Sequence, residues 1–141
     1  MIAAGQRGDW EFADMESRDE SRFGRGVAHF NAQEYFEAHE IWEELWLAAR
    51  EPEKTFLQGL IQVAAAFHHH RRENAKGARS LLAAGIAKLQ GFPDDHGGIA
   101  VSDLRAQAEN WLEEIGARSG AELRPPFIRR LDALPGNESG K

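Results

Sequence analysis

The chain has 141 residues, 42% of them apolar and 28% charged, with no cysteine and a formal charge of −6 at neutral pH. This is the composition of one ordinary globular domain. It excludes a disulfide framework, a thiolate metal site and a cysteine nucleophile, and its sign opposes nucleic-acid binding. No run of about 18 apolar residues is present, and no apolar block follows Met1 to Asp9. The expected compartment is therefore the cytoplasm, without membrane attachment.

Residues 1–20 hold Gly5, Gly8 and part of a charged stretch without any helical repeat, and read as an arm, flexible or docked through Trp10 and Phe12. An all-α bundle is expected over 21–118, followed by a tail over 119–141. Phe23, Val27 and Phe30 are spaced for a first helix, which Gly24 and Gly26 weaken, and Asn31 with Glu34 gives a capping signal. Residues 32–50 contain neither glycine nor proline and form a second helix, closed by Glu51-Pro52. Residues 54–72 form a third, apolar on nearly every side, which belongs in the middle of the fold.

Asn74 suits a C-cap, and Leu81, Leu82, Ile86 and Leu89 mark the next helix, ending near Gly91. After a polar turn through Asp94-Asp95-His96, Ser102 or Asp103 caps a last helix with the stripe Leu104, Ala108, Trp111, Leu112 and Ile115. In the tail, Pro125-Pro126 and Phe127-Ile128 read as a short docked segment. No strand signal competes. The expected fold is all-α: a single compact helical bundle of about five helices around a central buried helix hairpin.

At about 100° per residue, Tyr35, Ala38, His39, Trp42, Leu45, Trp46 and Ala49 share one arc of the second helix, which puts His39 on the buried side. Glu37, Glu40 and Glu44 gather opposite, as a solvated face. Glu43 falls between His39 and the pair Phe36 and Leu47, the one carboxylate of the four in apolar company. His39 and Glu43, four residues apart, can share a proton, a water or an ion. On the third helix Gln58, Gln62, Ala65 and His69 form a thin polar stripe, and small residues such as Gly59 and Ala64 let a neighbour approach. The short connection at Pro52 makes the two helices an antiparallel hairpin, with Gln62 the expected partner of Glu43 and His39 and with His69 about a turn further along.

The block Phe36-Glu37-Ala38-His39-Glu40-Ile41-Trp42-Glu43-Glu44-Leu45-Trp46, followed by Leu57-Gln58-Gly59-Leu60-Ile61-Gln62, resembles the family catalogued as domain of unknown function 309. His39, Glu43 and Trp46 match its pattern of His, three residues, Glu, two residues, Trp. The resemblance covers roughly residues 23–115. It implies a compact all-α bundle with no established activity, and a histidine near the end of the second matched helix, which His69 fits by position.

Three readings of the cluster stay open on the sequence. A hydrogen-bonded His39–Glu43 pair, with Gln58, Gln62, His69 and Trp46 in the surrounding polar network, would fix helix packing or hold a small ligand. An enzyme would use His39 and Glu43 as catalytic residues. It would do so either as an acid–base pair whose Glu43 has a raised pKa, or around a divalent metal held by His39, Glu43 and His69. An interaction module would need neither, and the apolar residues of arm and tail would then wrap the bundle or cross to a second copy in a homodimer. His68, His70, Arg71 and Arg72 make a basic helix end where an anion could rest.

Overall fold

The computed structural model describes residues 20–117 and 122–131. Its five helices are α1 (residues 20–31), α2 (Tyr35–Ala48), α3 (Glu53–Arg71), α4 (Ala75–Leu89) and α5 (Val101–Glu114), with a short 3-10 turn at His96–Gly98 before the last. The fold is the expected all-α bundle. Among the described residues there is no strand, only an isolated antiparallel bridge between Ile99 and Arg130. Residues 1–19, which hold Trp10, Phe12 and nearly all of the expected arm, and residues 118–121 and 132–141 at the two ends of the expected tail lie outside the described residues.

The core is continuous. Phe23, Phe30, Trp42, Phe56 and Phe67 from the first three helices meet Leu82 and Leu89 of α4 and Leu104 of α5. As expected, α3 lies in the middle, with nine buried residues, packed against α2 on one side and α4 on the other. The α3–α4 approach is close because both helices lack a side chain where they cross: a Cβ at Gly85 would come within 2.9 Å of the Gly59 carbonyl oxygen and 2.8 Å of Val63 Cγ2. Gly24 and Gly26 do not break α1. At Gly26 the room is needed, since the Trp42 indole lies 2.2 Å from where a Cβ would be.

Several helix ends differ from the sequence reading. Asn31 closes α1 rather than capping the next helix; Gln33 takes a positive φ of 66°, and α2 starts at Tyr35. The Asn31 amide instead reaches the tail, donating to the Ile128 carbonyl at 3.0 Å and accepting from the Ile128 N–H at 2.7 Å. Asn74 is the N-cap of α4, accepting from Gly77 N–H at 3.0 Å, while Glu73 takes the positive φ of 62° that ends α3. Ser102 and Asp103 lie inside α5, whose cap position is Ala100; the Ser102 hydroxyl bonds to Asp94 in the preceding loop. Arg79 of α4 answers the last carbonyls of α5, donating to Leu112 O and Ile115 O.

The described part of the tail, residues 122–131, is held at several points. Gln107 of α5 pairs with both the N–H and the carbonyl of Phe127 at 2.9 Å each, and Trp111 Nε1 donates to Arg124 O at 3.0 Å. Ile128 is buried, whereas Phe127 stays 54% exposed.

Candidate functional site

The buried arc of α2 is rotated from the one read on the wheel. Tyr35, Ala38, Ile41 and Trp42 are buried, and His39, Leu45, Trp46 and Ala49 sit at its edge. Trp42 is fully enclosed, its Nε1 donating to Phe23 O at 3.3 Å. The rotation goes with α1, whose Phe23 and Phe30 pack tilted against Trp42, centroids 6.2 and 6.1 Å away, and draw that side of α2 inward.

His39 and Glu43 do come together. Their Nε2 and Oε2 atoms are 3.5 Å apart, close enough to attract when the imidazole is protonated but long for a good hydrogen bond. Glu43, however, is not in a dry environment. Its side chain is 51% exposed, and the apolar company expected around it is itself exposed, Phe36 at 46% and Leu47 at 72%. The apolar enclosure that the acid–base reading of Glu43 needs is therefore missing from this face.

The polar stripe of α3 is real but answers differently. Gln58, Gln62, Ala65 and His69 are all half-buried, and between Phe56 and Phe67 every other residue of α3 is buried. No hydrogen bond joins Gln62 to His39 or Glu43; Gln62 Oε1, His39 Nδ1 and Trp46 Nε1 are all buried and have no partner among the described residues. His69 turns toward the end of α3, its Nδ1 3.0 Å from the Asn74 amide nitrogen. Among the described residues no group of three or more His, Asp or Glu side chains is placed to hold a metal ion, so His39, Glu43 and His69 are not brought together as a ligand set.

The neighbours of the His39 pair are aromatic and cationic. The His39 ring stacks on Phe36 with centroids 5.8 Å apart, and Phe36 lies 5.3 Å from the ring of His68 across the hairpin. Burial, with Arg72, His69 and His39 nearby, holds the His68 imidazole below its ordinary pKa against the opposing pull of Glu37. At the other end of the seam, Lys54 places its Nζ 4.0 Å over the Trp46 ring and donates to Trp46 O at 2.8 Å. His70 packs against Trp111, and Arg71 donates to Gln33 O, which leaves the basic end of α3 tied into the fold.

A second His–Glu pair was not legible in the sequence. His96 Nε2 is 3.1 Å from Glu53 Oε2, with the imidazole wedged between the rings of Phe56 and Phe92. The partners are 43 residues apart, so no helical spacing could announce them.

No described helix is long and apolar enough to cross a membrane. An uncharacterized protein of Bacillus subtilis (strain 168), YpuF, is 46% identical over 66 residues, which are 45% of this chain and 38% of that protein. An uncharacterized protein of Aquifex aeolicus (strain VF5) is 32% identical over 90 residues, 62% of this chain and 27% of that one. The matches thus span well under half the length of either relative. The resemblance drawn from His39, Glu43 and Trp46 is established for the segment that carries them: residues 23–81 match the family described as domain of unknown function (DUF309).

Proposed function

We propose that the domain is an interaction module whose recognition face is the outer side of α2, and that its partner is a protein helix carrying apolar side chains flanked by lysine or arginine. The observation that carries this reading is a single stripe. Phe36, Glu40, Glu43 and Leu47 follow one another at four, three and four residues along α2, with the two large apolar side chains 46% and 72% exposed. Glu37 and Glu44 add further exposed carboxylates beside it. Apolar anchors set among acids fit an amphipathic basic helix by charge and by spacing. The same carboxylates oppose face-to-face pairing of α2 with a second copy, and they oppose nucleic acid. The cytoplasm is the place of action we propose.

His39 has a part in this reading that requires no chemistry. Stacked on Phe36 and attracted to Glu43, it sets the direction of both side chains on the exposed face.

The test is fluorescence anisotropy of the full chain with a labelled designed peptide, leucines at helical spacing and lysines on the flanks. A control peptide has the same composition in scrambled order. Saturable binding to the patterned peptide alone, lost in the Phe36→Ser, Leu47→Ser double variant, is the expected result. Equal binding of the scrambled peptide, or binding that survives the double substitution, overturns it. So does a wild-type dimer in sedimentation that becomes monomeric in the double variant, which would make the face a self-interface.

A further inference from the structure

At the end of the hairpin remote from His69, a cavity of about 520 Å³ opens between the start of α1, the last turn of α2 and the first turn of α3. Among the described residues its apolar floor comes from Phe23, Leu45, Phe56 and Leu57, all set in or against the hydrophobic core. These side chains belong to three different helices, so the floor is held by the core itself. A recess of this volume takes more than a single side chain.

Most acids of the rim are already engaged. Glu20 pairs with Arg130 at 3.3 Å, Glu53 with His96 at 3.1 Å, and Glu51 accepts from the Thr55 N–H and hydroxyl. The side chains of Arg22 and Arg50 have no hydrogen bond or ion pair among the described residues, and only Glu44, on the edge shared with the outer face of α2, stands unengaged against them. Arg22 is half-buried, where a guanidinium gains from an anion placed beside it. An apolar floor below two unanswered arginines is complementary to apolar side chains flanked by carboxylates.

A stretch with that pattern joins the fold at the wall of the cavity. Glu20, where the described chain begins, is a lining residue, and residues 9–16 just before it hold Trp10, Phe12, Met15 and four carboxylates without any basic residue. Trp10 is ten residues from Glu20, a span of up to about 34 Å when extended, so the stretch has ample length to fold back over the mouth. Being tethered there, it faces the cavity at an effective concentration in about the millimolar range. We infer that the cavity is the docking site of the chain's own residues 9–16. Trp10 and Phe12 cover the floor of Phe23, Leu45, Phe56 and Leu57, and the acids between and beside them answer Arg22 and Arg50.

The full chain has no cysteine, so a nitroxide attached through Ala13→Cys reports from one position. In the amide spectrum it should broaden Leu45, Ala48 and Leu57, which line the cavity. Trp10→Ser with Phe12→Ser should remove most of that broadening and shift the same amides. Arg22→Gln with Arg50→Gln should move them part of the way along the same line, the ratio of docked to undocked chain falling by about fivefold. Added salt should act in the same direction as the arginine substitutions. Broadening and shifts at the cavity that ignore both double variants, or broadening spread evenly over α4 and α5, would overturn the inference. Spin-labelled chains mixed with isotope-labelled chains that carry no nitroxide separate the two possible sources of the segment: broadening in the mixture would mean that it reaches the cavity of a second copy, and would overturn docking within one chain.

Discussion

The indole of Trp42 occupies the space in which a side chain at Gly26 would begin: a Cβ there would lie 2.2 Å from Nε1 and 2.6 Å from Cδ1. Trp42 is fully buried and hydrogen-bonded, so it has no room to retreat. In an open helix, Gly→Ala gains about 1 kcal/mol from propensity. At position 26 the overlap reverses the sign, and Gly26→Ala should lower stability by more than about 2 kcal/mol. Gly24→Ala is the contrast, since its Cβ would meet only the flexible end of Arg130 at 3.0 Å. Denaturant melts should separate the two; equal stability of both variants would mean that Trp42 packs elsewhere.

The tail is held by amide side chains more than by backbone pairing. Asn31 makes two hydrogen bonds to Ile128, one in each direction, in a half-buried setting. Asn31→Ala leaves both backbone groups of Ile128 unanswered and should cost about 1–3 kcal/mol. Hydrogen exchange at the Ile128 amide reads it directly: exchange should accelerate while the α3 core stays protected. Unchanged protection at Ile128 would show that the docked segment does not depend on Asn31.

At the His39 pair, exposure predicts a small effect on stability. Glu43→Ala should cost less than about 1 kcal/mol, as for other half-exposed ion pairs. Gln62→Leu, which removes a buried oxygen without a protein partner, should be neutral or stabilising by about 1 kcal/mol. Thermal melts of the two variants check both; a loss of several kcal/mol from either would restore a tightly coupled network.

Two groups give stability a dependence on pH. Burial, moderated by Arg71, pushes the Tyr35 hydroxyl from an ordinary value of 10.0 up to about 12. The native state keeps that proton where the unfolded chain has lost it. The contribution is therefore complete below pH 10 and is lost as pH rises toward 12. Tyr35 is the only tyrosine, so an ultraviolet phenolate titration assigns it without ambiguity. A midpoint near the ordinary value would contradict its burial. His68 acts at the other end. With its pKa held below 6.5, the native state binds fewer protons than the unfolded chain just under that pH. Stability should fall as pH drops through 6.5 toward the folded value, and His68→Gln should flatten that limb of a melting profile.

The helices could be read because apolar spacing is a local property. The enclosed character of α3 and the half-buried strip of Gln58, Gln62 and His69 both follow from the wheel alone. What the wheel could not supply was the direction of the neighbours. The wheel put His39 on the buried side together with Trp42, but in the fold the buried arc turns toward Ile41, with Phe23 and Phe30 against Trp42, and leaves Glu43 in water. Asn31 and Asn74 both carry residue types favoured at caps. Which end they serve is decided by their partners, the remote Ile128 for the first and the Gly77 N–H three residues on for the second. The Glu53–His96 pair lay beyond reach for the same reason, since loop closure brings it together.

Glu20, at the first described turn of α1, touches Arg130, near the end of the docked tail, across 110 residues of sequence. The described polypeptide therefore begins and finishes at one spot on the surface. A chain of residues 20–131 can therefore be permuted, with positions 131 and 20 joined by a short linker and new termini opened at the α3–α4 turn around Glu73. Such a permuted chain keeps every helix contact intact and changes only the order in which they are made.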